Sequence, residues 1–165
     1  MPDILIIRSV SYQQLDKALP VIRQTYPGNR IHLLTHEHGA AQGRAMPGID
    51  EVHVYPYRGG FNWRHPAPQL RGKLFDAVFI PVTNLTGAGF SNVMIYALTL
   101  KTGRRLMCNV RSELSERTTL HILGQTLQCH AYTALAACGT LLACIVALPV
   151  LLWILRRGSM PCKSP

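Results

Sequence analysis

Acidic residues are scarce in this chain, with 8 Asp and Glu against 17 Lys and Arg. The formal net charge of +9 favours anionic partners such as phosphate headgroups, sugar nucleotides or nucleic acid, without choosing among them. No Cys-x-x-Cys pair occurs, the five cysteines are odd in number, and Cys138 and Cys144 fall inside an apolar run. That pattern fits neither a disulfide framework nor a cysteine zinc site, so the thiols are read as free. There is no long apolar stretch near the N-terminus. Ile4 to Ile7 is too short for a signal-type segment and is bracketed by Asp3 and Arg8, so no signal peptide is expected. G-x-G-x-x-G, P-loop and nucleophile-elbow motifs are missing as well, and spacing alone assigns no chemistry. The one sequon, Asn84-Leu85-Thr86, matters only in a secretory lumen.

What is present is a charge-free run from Ala131 to Leu155, AYTALAACGTLLACIVALPVLLWIL. At about 1.5 Å per residue it exceeds a hydrocarbon core of roughly 30 Å. His130 and Tyr132 flank one end, and Trp153, Arg156 and Arg157 the other, as expected at headgroup depth. One transmembrane helix is therefore expected at 131–155, with a short basic tail at 156–165. Arg156, Arg157 and Lys163 favour a cytosolic C-terminus by the positive-inside rule. A cytosolic N-terminal domain, as in tail-anchored proteins, is nevertheless the expected orientation, because nothing in the sequence exports that domain.

Before residue 131 there are 14 Lys and Arg against 8 Asp and Glu, a formal +6. Ile4–Ile7 reads as a buried first strand, followed by a helix with Leu15, Leu19 and Ile22 on one face and Pro20 as an irregularity. Tyr26-Pro27-Gly28-Asn29 stops it. Further strands are expected at Ile31–Thr35, Val52–Tyr55, Phe75–Val82 and Arg105–Val110, and a helix at Ser91–Leu100. Arg58–Gly72, rich in Gly, Pro and basic residues with Phe61 and Trp63, reads as a loop, with a mobile lid or a membrane-facing loop as its role. A helix from Ser112, with Glu113 and Glu116 in its first turn, is expected to connect residues 113–130 to the membrane. Alternating strands and helices predict an α/β domain, Rossmann-like, with a mostly parallel sheet over residues 1–112.

In such sheets ligands collect beyond the C-terminal ends of the strands, which selects Arg8–Tyr12, Thr35–Gly39, Tyr55–Gly60 and Val82–Gly89. Arg8 is suited to a phosphate or carboxylate. The loop holding Asn84, Thr86, Gly87 and Gly89 precedes a helix, where backbone N–H groups can face an anion. Ser9, Ser11, His36 and His38 complete the candidate acceptor and anion site. His32, His36 and His38 invite a metal reading, but apart from Glu37, whose side chain is expected to point away, no Cys or acidic partner stands at a convincing spacing, and neither metal nor cofactor is expected.

The N-terminal two-thirds resembles the acceptor-side domain of the family 9 glycosyltransferases, the heptosyltransferase group that builds lipopolysaccharide core. The resemblance rests on Ile4–Ile7 followed by Arg8, the Ser9 to Ser11 turn, Pro20 in a Leu-Pro-Val-Ile-Arg helix, and Tyr26-Pro27. It continues through Pro47-Gly48-Ile49-Asp50-Glu51-Val52 to Phe75-Asp76-Ala77-Val78-Phe79-Ile80. It implies half of a GT-B type enzyme, a sugar-lipid acceptor, membrane lipid as a neighbour and no nucleic acid. Members of that family carry a Gly-Asp pair in the first turn, the Asp acting as general base. Here Gln13 and Gln14 stand there, and an amide cannot take the proton. Asp16 is the nearest carboxylate and the catalytic candidate. The family's second domain binds the nucleotide-sugar donor, and a membrane helix begins where it should stand. The chain is therefore expected to be inactive alone and to need a partner chain that supplies donor binding. The alternative is a non-catalytic, membrane-tethered module that engages anionic lipid or a protein complex through its basic face.

Overall fold

Short β-branched runs separated by Gly, Pro and Asn turns pair into one six-stranded sheet in the computed structural model, which describes residues 2–158. In chain order the elements are β1 (Asp3–Ile7), α1 (Tyr12–Thr25), β2 (Arg30–His36), α2 (Glu37–Ala45), β3 (Glu51–Tyr55), β4 (Leu74–Pro81), α3 (Ser91–Ala97), β5 (Lys101–Cys108), β6 (Leu114–Glu116) and α4 (Thr119–Gly158). The strand order is β3-β2-β1-β4-β5-β6, parallel throughout except for the antiparallel β5–β6 pair. The protein is thus α/β with a mostly parallel sheet. The direction of winding reverses between β1 and β4, which are hydrogen-bonded neighbours.

Because side chains alternate across a strand, β1 feeds both faces of the sheet. Ile4 and Ile6 join Leu15, Leu19 and Ile22 of α1 with Ile31, Leu33, Ala77 and Phe79. Leu5 and Ile7 join Leu34, Val78 and Ile80 with Met94 and Tyr96 of α3. Arg105 donates from Nε to the Ala97 carbonyl and from its terminal nitrogen to that of Leu100. Those bonds satisfy carbonyls that the end of α3 leaves over, and the helix stops three residues before the expected Leu100.

Three expectations are corrected. Residues 37–45, for which no helix is expected, form α2, whose buried face is Gly39, Ala40 and Gly43. A Cβ at Gly43 would come within 2.9 Å of Leu33 and 3.0 Å of the Tyr12 hydroxyl, so this helix packs close through small residues. The helix from Ser112 is absent, and the sheet continues past residue 112. Asn109 accepts from the Arg111 and Glu113 amides and donates to the Glu113 carboxylate. This turn, with Ser112 at φ 60°, folds the chain back as β6, and α4 begins only at Thr119. The 58–72 loop is pinned to the domain and is not a free lid. Phe61, Ala67 and Leu70 are buried in the core, and the Tyr55 and Tyr96 hydroxyls bond its backbone at His65, Asn62 and Ala67.

The chain divides into two compact units, residues 1–124 and 125–165. In the second, the described side chains of residues 127–149 are all exposed, although the run is apolar on every side. A helix of this length and composition is long and apolar enough to cross a membrane. Pro149 lies within it. The expected basic tail starts as the last turn of α4, and residues 159–165, with Lys163, lie outside the described residues.

Candidate functional site

Three of the four strand-end segments converge. Arg8 leaves β1 with its amide on the Leu34 carbonyl and lays its guanidinium across the start of α2. Its Nε donates to Thr35 Oγ1 at 2.8 Å, a terminal nitrogen donates to His38 Nε2 at 3.1 Å, and the Tyr12 ring lies 4.7 Å beneath. A guanidinium has five N–H donors, and Thr35 and His38 take two of them. Gly39 makes room for this arrangement, since a Cβ there would stand 2.7 Å from Thr35 Oγ1 and 3.1 Å from the guanidinium carbon. Arg8 is therefore half-buried and held, unlike a surface arginine that sweeps through solvent.

His36 caps the other side. Its Nε2 donates to the Gly59 carbonyl at 2.7 Å, and its ring packs 4.7 Å from Phe61 and stacks 5.8 Å from His38. Burial, above all, holds the His36 imidazole below its ordinary range. The Gly59 carbonyl pushes back, while His38 and Arg8 add to the lowering. With Nε2 committed to Gly59, neutral His36 keeps Nδ1 as its acceptor atom.

Two clefts meet at His36. One of about 300 Å³ is lined by Arg8, Ser9, Phe61, Phe90 and Asn92, and one of about 540 Å³ by Glu37, His38, Tyr55, Tyr57 and Arg58. The first opens at the reversal point of the sheet, where ligands of doubly wound sheets gather, and the second beyond the ends of β2 and β3. Together they offer the held guanidinium of Arg8 and the exposed one of Arg58, with Tyr57 as an exposed aromatic face. Such a surface suits an anionic group attached to a ring with a flat apolar face.

The remaining candidates serve other ends. Ser9 Oγ donates to the Pro81 carbonyl, tying β1 to β4. Ser11 caps α1 by accepting from the Gln14 amide. Asn84 accepts from the Gly87 amide and donates to the Ala88 carbonyl, and Thr86 accepts from the Ala88 amide. The Phe90 amide goes to the Gly87 carbonyl. The N–H groups of Gly87, Ala88 and Phe90 thus bond within the loop. Gly89 is only a left-handed turn residue, at φ 83°. Gln14 reaches toward the site, its amide 3.5 Å from the Val82 carbonyl. Asp16 does not. It lies exposed on α1, lining a separate groove of about 310 Å³ with Gln13, Gln42 and Met46.

Sequence reasoning missed Phe61 and Phe90, on loops, and Asn92, in the first turn of α3, which reach the cleft from far along the chain. The three histidines considered together for a metal do not meet. His36 and His38 belong to this cleft, whereas His32, four strand residues earlier, sits near the start of β2, roughly 13 Å away at about 3.3 Å per residue. At that end of the sheet His32, Glu51 and His53 each bring one ligand atom within 4.8 Å of the others. No protein-family model matches the chain, and no curated protein and no solved structure matches it.

Proposed function

We propose that this chain is a membrane-anchored, glycosyltransferase-like binding domain whose strand-end cleft takes the anionic part of an envelope-polysaccharide or lipopolysaccharide acceptor. The observation that carries the reading is Arg8, a guanidinium clamped by Thr35, His38 and Tyr12 at the reversal point of a parallel sheet. Tyr57 in the adjoining cleft, 39% exposed and backed from the core by Tyr55 and Phe61, gives a sugar ring a face to pack on. The order β3-β2-β1-β4-β5 is that of Rossmann-type nucleotide domains, in keeping with one half of a GT-B enzyme. The apolar α4 keeps the domain near lipid-linked substrate, with the sheet domain on the cytosolic side of a bacterial inner membrane, where sugar nucleotides are made.

Transfer is a separate matter. Gln14 occupies the base position and Asp16 points elsewhere, so the domain holds an acceptor without activating its hydroxyl. Residues after Thr119 form a helix where a donor-binding sheet would begin, and a partner chain would supply the donor. The test is calorimetric titration of the full chain in nanodiscs with a phosphorylated and a neutral hexose. A preference of about tenfold for the phosphorylated sugar is expected, in line with one charge-assisted contact, and Arg8→Gln should abolish it. Equal affinity for the two sugars would overturn the reading.

One observation favours the alternative, a non-catalytic module that grips anionic lipid. Trp63 is 53% exposed, with the Arg64 guanidinium 5.1 Å from its ring centroid, the pairing found at headgroup depth. With Trp153→Phe, Trp63 is the sole tryptophan. Its emission should shift to the blue in anionic but not neutral nanodiscs if this reading holds, and indifference to lipid charge removes it.

A further inference from the structure

Opposite the cleft, at the N-terminal end of the parallel strands, lies a second polar cluster that the acceptor reading does not use. His32 of β2 and His53 of β3 are almost fully buried, at 2% and 6% exposure, and their rings stack at 5.3 Å with 9° between planes. His32 Nδ1 faces His53 Nε2 at 3.0 Å. Glu51 straddles the pair, with Oε2 3.3 Å from His32 Nδ1 and Oε1 3.5 Å from His53 Nε2. Phe75 closes one side, edge-on to His32.

We propose that His32 Nδ1, His53 Nε2 and the Glu51 carboxylate form a binding site for one zinc-type divalent transition-metal ion. Ligand atoms placed tetrahedrally at about 2.0–2.1 Å from zinc lie roughly 3.3 Å from one another. The approaches here are of that size before any ion draws the groups in: 3.0 Å between the two imidazole nitrogens, and 3.3 and 3.5 Å from them to the two oxygens of the one Glu51 carboxylate. Two imidazoles and a carboxylate are a borderline set that suits zinc over magnesium or calcium, and three protein ligands leave a fourth position for water.

The outer surroundings support the assignment. His32 Nε2 lies 3.4 Å from Asp3 Oδ1, and both atoms are buried without a well-formed hydrogen bond. A small rotation of the ring toward an ion brings that N–H onto the carboxylate, the usual partner of a metal-bound imidazole. It also fixes the tautomer in which Nδ1 carries the lone pair. Lys73 and Arg30 each approach Glu51 at 3.6 Å. Their side chains are 43% and 50% exposed, so both can turn into solvent as the ion takes their place. Glu51 itself is partly exposed and gives the ion a way in from water.

The test uses the full chain in detergent, stripped with chelator and titrated with Co²⁺ and then with Zn²⁺. One Co²⁺ per chain is expected, with the visible ligand-field bands of a four-coordinate ion, displaced by Zn²⁺. Glu51→Gln and His53→Gln should each weaken binding by more than tenfold, and Asp3→Asn by about tenfold. His38→Asn and Cys129→Ser should leave it unchanged. Zinc should also raise the melting temperature of the wild type but not of Glu51→Gln, a partly exposed position whose replacement keeps the fold. Absent bands would overturn the proposal, since two histidines sharing only a proton give no cobalt spectrum. So would bands that survive Glu51→Gln, or bands lost on Cys129→Ser.

Discussion

Both ends of the parallel sheet carry a pair of stacked histidines, His36 with His38 at one and His32 with His53 at the other. Their surroundings make them different chemistry. At the C-terminal end Arg8 and Arg58 stand beside the imidazoles, the walls are aromatic, and the pair borders open clefts. At the N-terminal end the imidazoles are buried between the carboxylates of Asp3 and Glu51. The same side chain thus stands among cations at one end, which suits the proposed anion site, and among carboxylates at the other, which suits the proposed metal site. A parallel sheet makes this separation naturally, because one end gathers loops and the other gathers strand starts.

The comparison breaks most completely at the residues beneath both ends. Phe79, buried on β4 beside Ile6, should cost about 3–5 kcal/mol on truncation to alanine. It should weaken anion and cobalt binding together, as chemical denaturation and both titrations would register. Next comes Gly39→Ala, which forces a Cβ against Thr35 and Arg8. Overpacking of this kind costs about 1–3 kcal/mol, and here it should reduce binding of the phosphorylated sugar while cobalt binding stays intact. An equal loss at both ends would show that the two are not independent.

Acidification gives a smaller effect at the open end. Burial, chiefly, holds the pKa of His36 below the ordinary imidazole value of 6.5. As pH falls through that value the unfolded chain takes up its proton first, so the native state loses stability below about pH 6.5 and gains nothing above it. Melting from pH 7.5 to 5.5 should slope less in His36→Asn than in the wild type, and parallel slopes would place the titration elsewhere. The smallest effect is expected far from either end. Arg104 and Glu116 pair at 3.0 Å on the surface between β5 and β6, and Arg104→Ala should leave melting and both titrations unchanged.

The strands were legible because Ile4–Ile7, Ile31–Thr35 and Phe75–Pro81 are runs of β-branched and apolar residues bounded by turn formers. The second helix was not, because its buried face is Gly39, Ala40 and Gly43, and residues without side chains leave no apolar period to read. The missed hairpin after Asn109 has a different source. Ser112 to Glu116 imitates a helix start, whereas the Asn109 side chain, several residues earlier, commits the chain to a hairpin. For the site, the rule of strand ends placed Arg8, His36 and His38 together. It could not bring Phe61 or Phe90 to them, since loop packing brings both from a distance. Nor could proximity in sequence reveal that His32 and His36, both on β2, serve opposite ends of the sheet.

Gly39 also constrains how this protein can change by inheritance. Every amino acid reachable from a glycine codon by one nucleotide substitution carries a Cβ, and a Cβ at position 39 meets Thr35 Oγ1 at 2.7 Å. No single-step replacement at that codon is therefore neutral toward Arg8. Lineages that keep the arginine clamp should keep glycine at this position, whatever the third base of its codon, and those that lose the clamp should be free to replace it.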